Sequence, residues 1–198
     1  MSALKSPFFW FVLALLTTAA LTALGPEVQS LGANVRIVYL HGAWVLTAEA
    51  ALGLSALAGL LAILFRRDRL HPWSAALART GLFFWLTYLP LSLWAMQANW
   101  NGLFLGEPRF RLAVAFAVAG VLLQVGLTLL ARPVFTSLFN VLFFASLRIG
   151  LSQAAYVMHP PPSPIFSSGI LSLQLFFITV IFLTMVAAWF LTRWWLSR

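Results

Sequence analysis

The chain contains no cysteine. Disulfides, thiolate metal sites and covalent haem attachment through a C-x-x-C-H motif are therefore excluded, and the redox compartment cannot be read from thiol usage. Charge is the second scarcity. Only 8% of the 198 residues are charged, against about 25% in a soluble domain. With 62% hydrophobic residues, such a chain cannot cover a water-facing surface, and an integral membrane protein is implied. The formal net charge of +8 does not point to nucleic acid, because the basic residues stand at the ends of apolar runs, where they set orientation in a bilayer. No nucleophile–base pair, Gly-rich phosphate loop or carboxylate dyad is present, so an enzyme is not expected. There is no water-soluble domain, internal repeat or low-complexity tail.

Six apolar segments reach the ~20 residues that a helical span needs. They fall near Pro7–Gly25, Val38–Phe65, Ser74–Met96, Leu112–Ala131, Val134–Met158 and Pro164–Leu191. The fold class expected is all-α: residues 1–198 form a single six-helix transmembrane domain with both termini cytoplasmic. The first segment is read as a retained span, since its apolar run exceeds the ~7–15 residues of a signal core. Short connections separate the spans: Gly25-Pro26 onward, Arg66 to Pro72, Asn99 to Arg111, Arg132-Pro133, and His159 to Pro164. With a cytoplasmic N-terminus, the inner side carries Lys5, Arg66, Arg67, Arg69, Arg79, Arg132, Arg193 and Arg198, and the outer side Arg36, Arg109 and Arg111. That bias follows the positive-inside rule. It brings His41, His159 and the Trp100–Arg109 loop to the outer face together.

The residues able to carry chemistry are few. His41 lies about one turn inside the second span, and an ionisable side chain there is costly enough to suggest function. His159 ends the fifth span. Two imidazoles at similar depth suit bis-histidine ligation of haem iron; the alternative is a pair of interfacial histidines bonded to neighbouring helices. Glu49 lies ~12 Å deeper than His41 on one helix, and Arg148 ~16 Å deeper than His159 on another. The two are expected to pair near mid-membrane, either to fix helix register or to neutralise a propionate or relay a proton. His71, in the arginine-rich loop before Pro72, reads as solvated. Trp100, Leu103, Phe104 and Leu105 form an apolar shelf with Glu107 and Arg109 as polar handles; the plainer reading is an interfacial aromatic belt. The prolines after His159 stop the fifth span and hold that histidine in place. Gly53 and Gly59 suit close helix approach, and Arg193 to Arg198 an interface anchor.

At these residues the chain resembles the CcmC family, membrane proteins that handle haem in cytochrome c maturation. Arg36-Ile-Val-Tyr-Leu-His41 is similar to the family's Arg-Ile-x-Tyr-Leu-His opening of the second span. Trp100 to Arg109 aligns without gaps with its tryptophan-rich outer loop, and Met158-His159 with its Leu-His-Gln near the end of span five. The resemblance implies haem b on the outer face, axial ligands His41 and His159, and contacts from Trp100, Glu107 and Arg109. It implies lipid and a haem chaperone or other membrane subunits as partners, and the bacterial inner (cytoplasmic) membrane as location. The departures are Leu103, Phe104 and Gly106 in place of loop tryptophans and Glu107 in place of aspartate. The family's proline after the first histidine is lacking, and Gly42 follows instead. Both axial positions are kept while the presenting surface is altered. That pattern fits haem handling, or a non-catalytic subunit of a larger membrane complex, with or without resident haem. Solute transport has only Glu49 and Arg148 in its favour.

Overall fold

The computed structural model describes residues 6–155 and 164–198. It consists of six α-helices: α1 (Pro7–Ala23), α2 (Val35–Leu64), α3 (His71–Trp100), α4 (Pro108–Leu130), α5 (Pro133–Gln153) and α6 (Leu171–Leu196). Prolines begin four of them. Pro7, Pro72, Pro108 and Pro133 occupy first-turn positions, where the missing N–H has no partner to lose and φ is already helical. Three ends turn into the left-handed region at residues other than glycine, Arg66, Asn101 and Ala131, which breaks the helical path sharply.

α2, α4, α5 and α6 are long and apolar enough to cross a membrane, and α1, with 17 residues, is a shorter apolar helix. α3 has 30 residues, but its tryptophans, Pro90 and polar side chains lower its hydropathy. The chain is thus an all-helical integral membrane bundle.

α2 lies at the centre, packed on α3, α5 and α6; α1 leans on α6, and α4 on α3 and α5. Polar contacts fix the relative direction of the helices. Asn34 at the start of α2 donates to Ala98 O near the end of α3 at 2.8 Å. Phe8 in α1 meets Trp194 at the end of α6 at 5.4 Å. Connections 24–34 and 101–107 therefore share one end, termed distal. Connection 65–70 and the starts of α1, α3 and α5 share the other, proximal end.

The core is aromatic and aliphatic, with Tyr39, Phe84, Trp85, Leu147, Phe177 and Val180 fully buried. Hydroxyls and amides join helices inside it. Thr47 and Thr184 Oγ1 atoms are 2.6 Å apart, and Thr192 donates to Thr80 at 2.9 Å. Ser55 donates to Ser74 O at 2.7 Å, Asn140 to Ser74 Oγ at 3.1 Å, and Gln124 to Asn140 Oδ1 at 2.9 Å. Where water is absent, such bonds fasten helices that no hydrophobic force draws together.

Three sequence expectations need correction. His71 is not solvated: it is 6% exposed, with Nδ1 2.7 Å from Ser137 Oγ and Nε2 3.9 Å from Asp68 Oδ1. Its position as the first residue of α3 turns the ring onto α5. The fifth helix ends at Gln153 rather than Met158, and Met158 lies outside the described residues. The sixth starts at Leu171 rather than Pro164 and continues through the aromatic tail to Leu196. That tail carries cations over rings, Arg79 on Trp195, Arg193 on Trp189 and Arg198 on Trp194, at 5.1–5.7 Å, the arrangement of an interfacial belt.

Candidate functional site

The Asn34–Trp44 stretch is tied down through the side chains of Asn34, Arg36, Tyr39 and Trp44. Arg36 donates from Nε to Gly25 O at 3.0 Å and from Nη2 to Glu27 at 3.1 Å. Tyr39 Oη donates to Pro26 O at 3.1 Å, and Trp44 Nε1 to Thr87 Oγ1 at 2.8 Å. A Cβ on Gly42 would lie 2.9 Å from Phe177 Cζ, so glycine there lets α6 approach. These contacts set the rotation of the first turns of α2, and with it the direction of His41. The half-buried His41 ring lies 5.2 Å from Tyr88 of α3, tilted by 34°. His41 stands six positions from the start of α2, hence ~9 Å of helix.

Deeper on the same helix, Glu49 meets Arg148 of α5. Arg148 Nη1 is 2.5 Å from Glu49 Oε2, with the two side chains 51% and 25% exposed respectively. Each residue stands fifteen positions from the proximal end of its helix, ~22 Å along either axis. The equal depth is what brings them level. Arg109, in the first turn of α4, lies within electrostatic range of both Glu49 and Tyr88. The distal half of the bundle thus gathers an imidazole, a phenol, a carboxylate and two guanidinium groups from four helices.

Above them lies the 101–107 connection. Trp100 is the last residue of α3, and its ring meets Phe104 edge-on at 6.0 Å and 78°. Leu103, Phe104 and Leu105 are exposed, so an apolar shelf stands at the distal surface. Glu107 has a different task from the handle expected of it. Its Oε2 accepts from Phe110 N at 2.6 Å and caps α4; its place directly before Pro108 was the available signal. Sequence reasoning missed Tyr88 as the neighbour of His41, because nothing in the Leu86–Pro90 run sets it apart from other interfacial aromatics.

His159 lies outside the described residues. Among the described residues, no three His, Asp or Glu side chains gather as a metal site. The donor set fits one side of a haem iron, with a single imidazole beside aromatic surface, and the arginines suit anionic substituents. No family model, no curated protein and no solved structure matches the chain.

Proposed function

We propose that this protein binds haem b at the outer face of the membrane and handles it for cytochrome c assembly. In this reading the helices make six spans with both termini cytoplasmic, and the distal end faces outward, as the distribution of Lys and Arg requires. The observation that carries the reading is the setting of His41. Its ring is held by a bonded backbone stretch against Tyr88, beneath the exposed Trp100–Leu105 shelf. A neutral imidazole held in one direction is a good iron ligand. His41 and His159 would hold the iron, with the shelf and Arg109 receiving the rest of the molecule. Bound haem supplies an iron centre whose potential its surroundings tune.

A second reading, a non-catalytic subunit of a larger membrane complex, is favoured by α4 and α5. Their outward faces are exposed along much of their length, including Leu122, Leu129, Leu142 and Ile149. Lipid or another subunit would cover that surface.

The visible spectrum of detergent-purified protein, oxidised and reduced, tests the first reading. Sharp reduced α and Soret bands are expected in the wild type and absent from His41→Ala and His159→Ala. A wild type that stays colourless after addition of hemin would end the haem reading and leave the subunit reading, which predicts stoichiometric co-purification with other membrane chains.

A further inference from the structure

Arg148 is placed unusually for an arginine in an apolar helix. It stands five residues before Gln153, where α5 ends, ~7 Å along the axis. At the level of Glu49, ~21 Å below the distal end of α2, a lone charge is costly. The side chain turns across to Glu49, at 2.5 Å. Yet its side chain is still 51% exposed, so the pairing does not bury it. α2 continues fourteen residues beyond Glu49 to Val35, ~21 Å, carrying His41 on the way. The pair therefore lies well below the distal end of α2, level with the last turns of α5.

The donor count is the second observation. A guanidinium carries five N–H donors in a planar fork. Among the described residues, Arg148 makes one hydrogen bond, Nη1 to Glu49 Oε2. Nε and Nη2 remain, on a half-exposed group, in a setting where an unmatched donor is costly. A carboxylate is the acceptor that a fork matches best.

We propose that Arg148 is an anion-binding residue of the distal site, receiving a carboxylate of an amphiphilic ligand, with Glu49 holding the guanidinium in position. The assignment rests on the haem reading above, and the carboxylate is then a porphyrin propionate. The ligand body lies toward the shelf while one propionate reaches down to the unused side of the fork. Glu49 is a positioning residue: it holds the Arg148 guanidinium in one direction in the empty state.

The test is a Soret titration of the purified full-length protein with hemin and with hemin dimethyl ester, whose side chains carry no charge. Wild type is expected to bind the free acid about tenfold more tightly than the ester, the worth of one charge-assisted hydrogen bond. In Arg148→Gln that ratio falls to about one, while Arg148→Lys keeps part of it. Because Arg148→Gln alone strands Glu49 and can lose the fold, the double variant Glu49→Gln/Arg148→Gln is measured beside it. A ratio of about one in the double variant supports the assignment; a wild-type ratio there overturns it. Equal binding of acid and ester by the wild type overturns the propionate site while leaving haem binding intact. Binding of neither compound overturns the haem reading and the propionate site together.

Discussion

Glu107 and Glu49 are both carboxylates in the distal half of the bundle, but they are held by different physics. Glu107 accepts from Phe110 N at the open end of α4, so replacing it removes a cap. Glu107→Ala is expected to lower stability by about 1 kcal/mol, with Glu107→Asp retaining most of it, as read from thermal melts in detergent. Glu49 is held by Arg148, so removing the arginine leaves a carboxylate with no cation beside it in an apolar setting. Arg148→Leu should therefore reduce folded yield and melting temperature by more than the pair itself contributes, about 1–2 kcal/mol. Arg148→Leu combined with Glu49→Leu should recover part of that loss. Equal melting of Arg148→Leu and wild type would remove the pair from any account of stability. Isolation in apolar runs made these two charges conspicuous in the sequence, and their similar depth below His41 and His159 led to the expectation that they pair. His71 was not legible in that way. Its neighbours Arg66, Arg67 and Arg69 read as solvent-facing, and its burial is decided by Ser137, 66 residues away.

Between helices, the closest approaches run through glycine. A Cβ on Gly59 would lie 2.8 Å from Ser137 O, a backbone atom that cannot swing aside, and one on Gly81 2.7 Å from Leu52 Cγ and 2.9 Å from Leu52 N. Gly59→Ala and Gly81→Ala must push α2 away from α5 and α3 respectively, with an expected loss of about 1–3 kcal/mol each. Gly126 in α4 has open space around it, with nothing within 4 Å of where a Cβ would stand. Alanine there should be neutral or gain up to about 1 kcal/mol through helix propensity. Unfolding of the three variants in mixed micelles separates the two cases, and a loss at Gly126 matching that at Gly59 would mean that packing is not the cause. Element starts were legible to within a residue at Pro7 and Pro133, whereas Ser74, Leu112 and Pro164 were expected to open helices that begin at His71, Pro108 and Leu171. Some element ends were missed in the same way. α3 passes Met96 to Trp100 because Gln97, Ala98 and Asn99 continue a helix and Asn101 takes the left-handed turn. α5 stops at Gln153, although apolar residues continue toward the prolines. Hydropathy records what tolerates lipid, not where backbone hydrogen bonding ceases.

At the scale of the molecule, the bundle brings the start of α1 and the end of α6 together through Phe8 and Trp194, at the end of the bundle that the proposed orientation makes cytoplasmic. The side itself rests on the distribution of cations, which the sequence displays directly. The partnership of His41 with His159 rests on the resemblance and on a residue outside those described. Orientation is therefore the point on which the functional reading most depends, and the chain is well suited to measuring it. With no native cysteine, one introduced thiol is the sole target of a maleimide. Leu103, 54% exposed at the distal end, and Asp68, exposed in the proximal connection, can each be replaced, Asp68 at the loss of its 3.9 Å approach to His71 Nε2. In intact cells a membrane-impermeant maleimide should label Leu103→Cys at once and Asp68→Cys only after permeabilisation. The opposite pattern would put His41 and the aromatic shelf on the cytoplasmic side. A haem site there could not serve cytochrome c assembly on the outer face, however well it bound the ligand. Labelling of both thiols in sealed cells would mean that α3, the least apolar of the long helices, does not separate two compartments. The six-span arrangement would then fall, and the site would have to be sought in a four-span bundle with α1 and α3 lying against it.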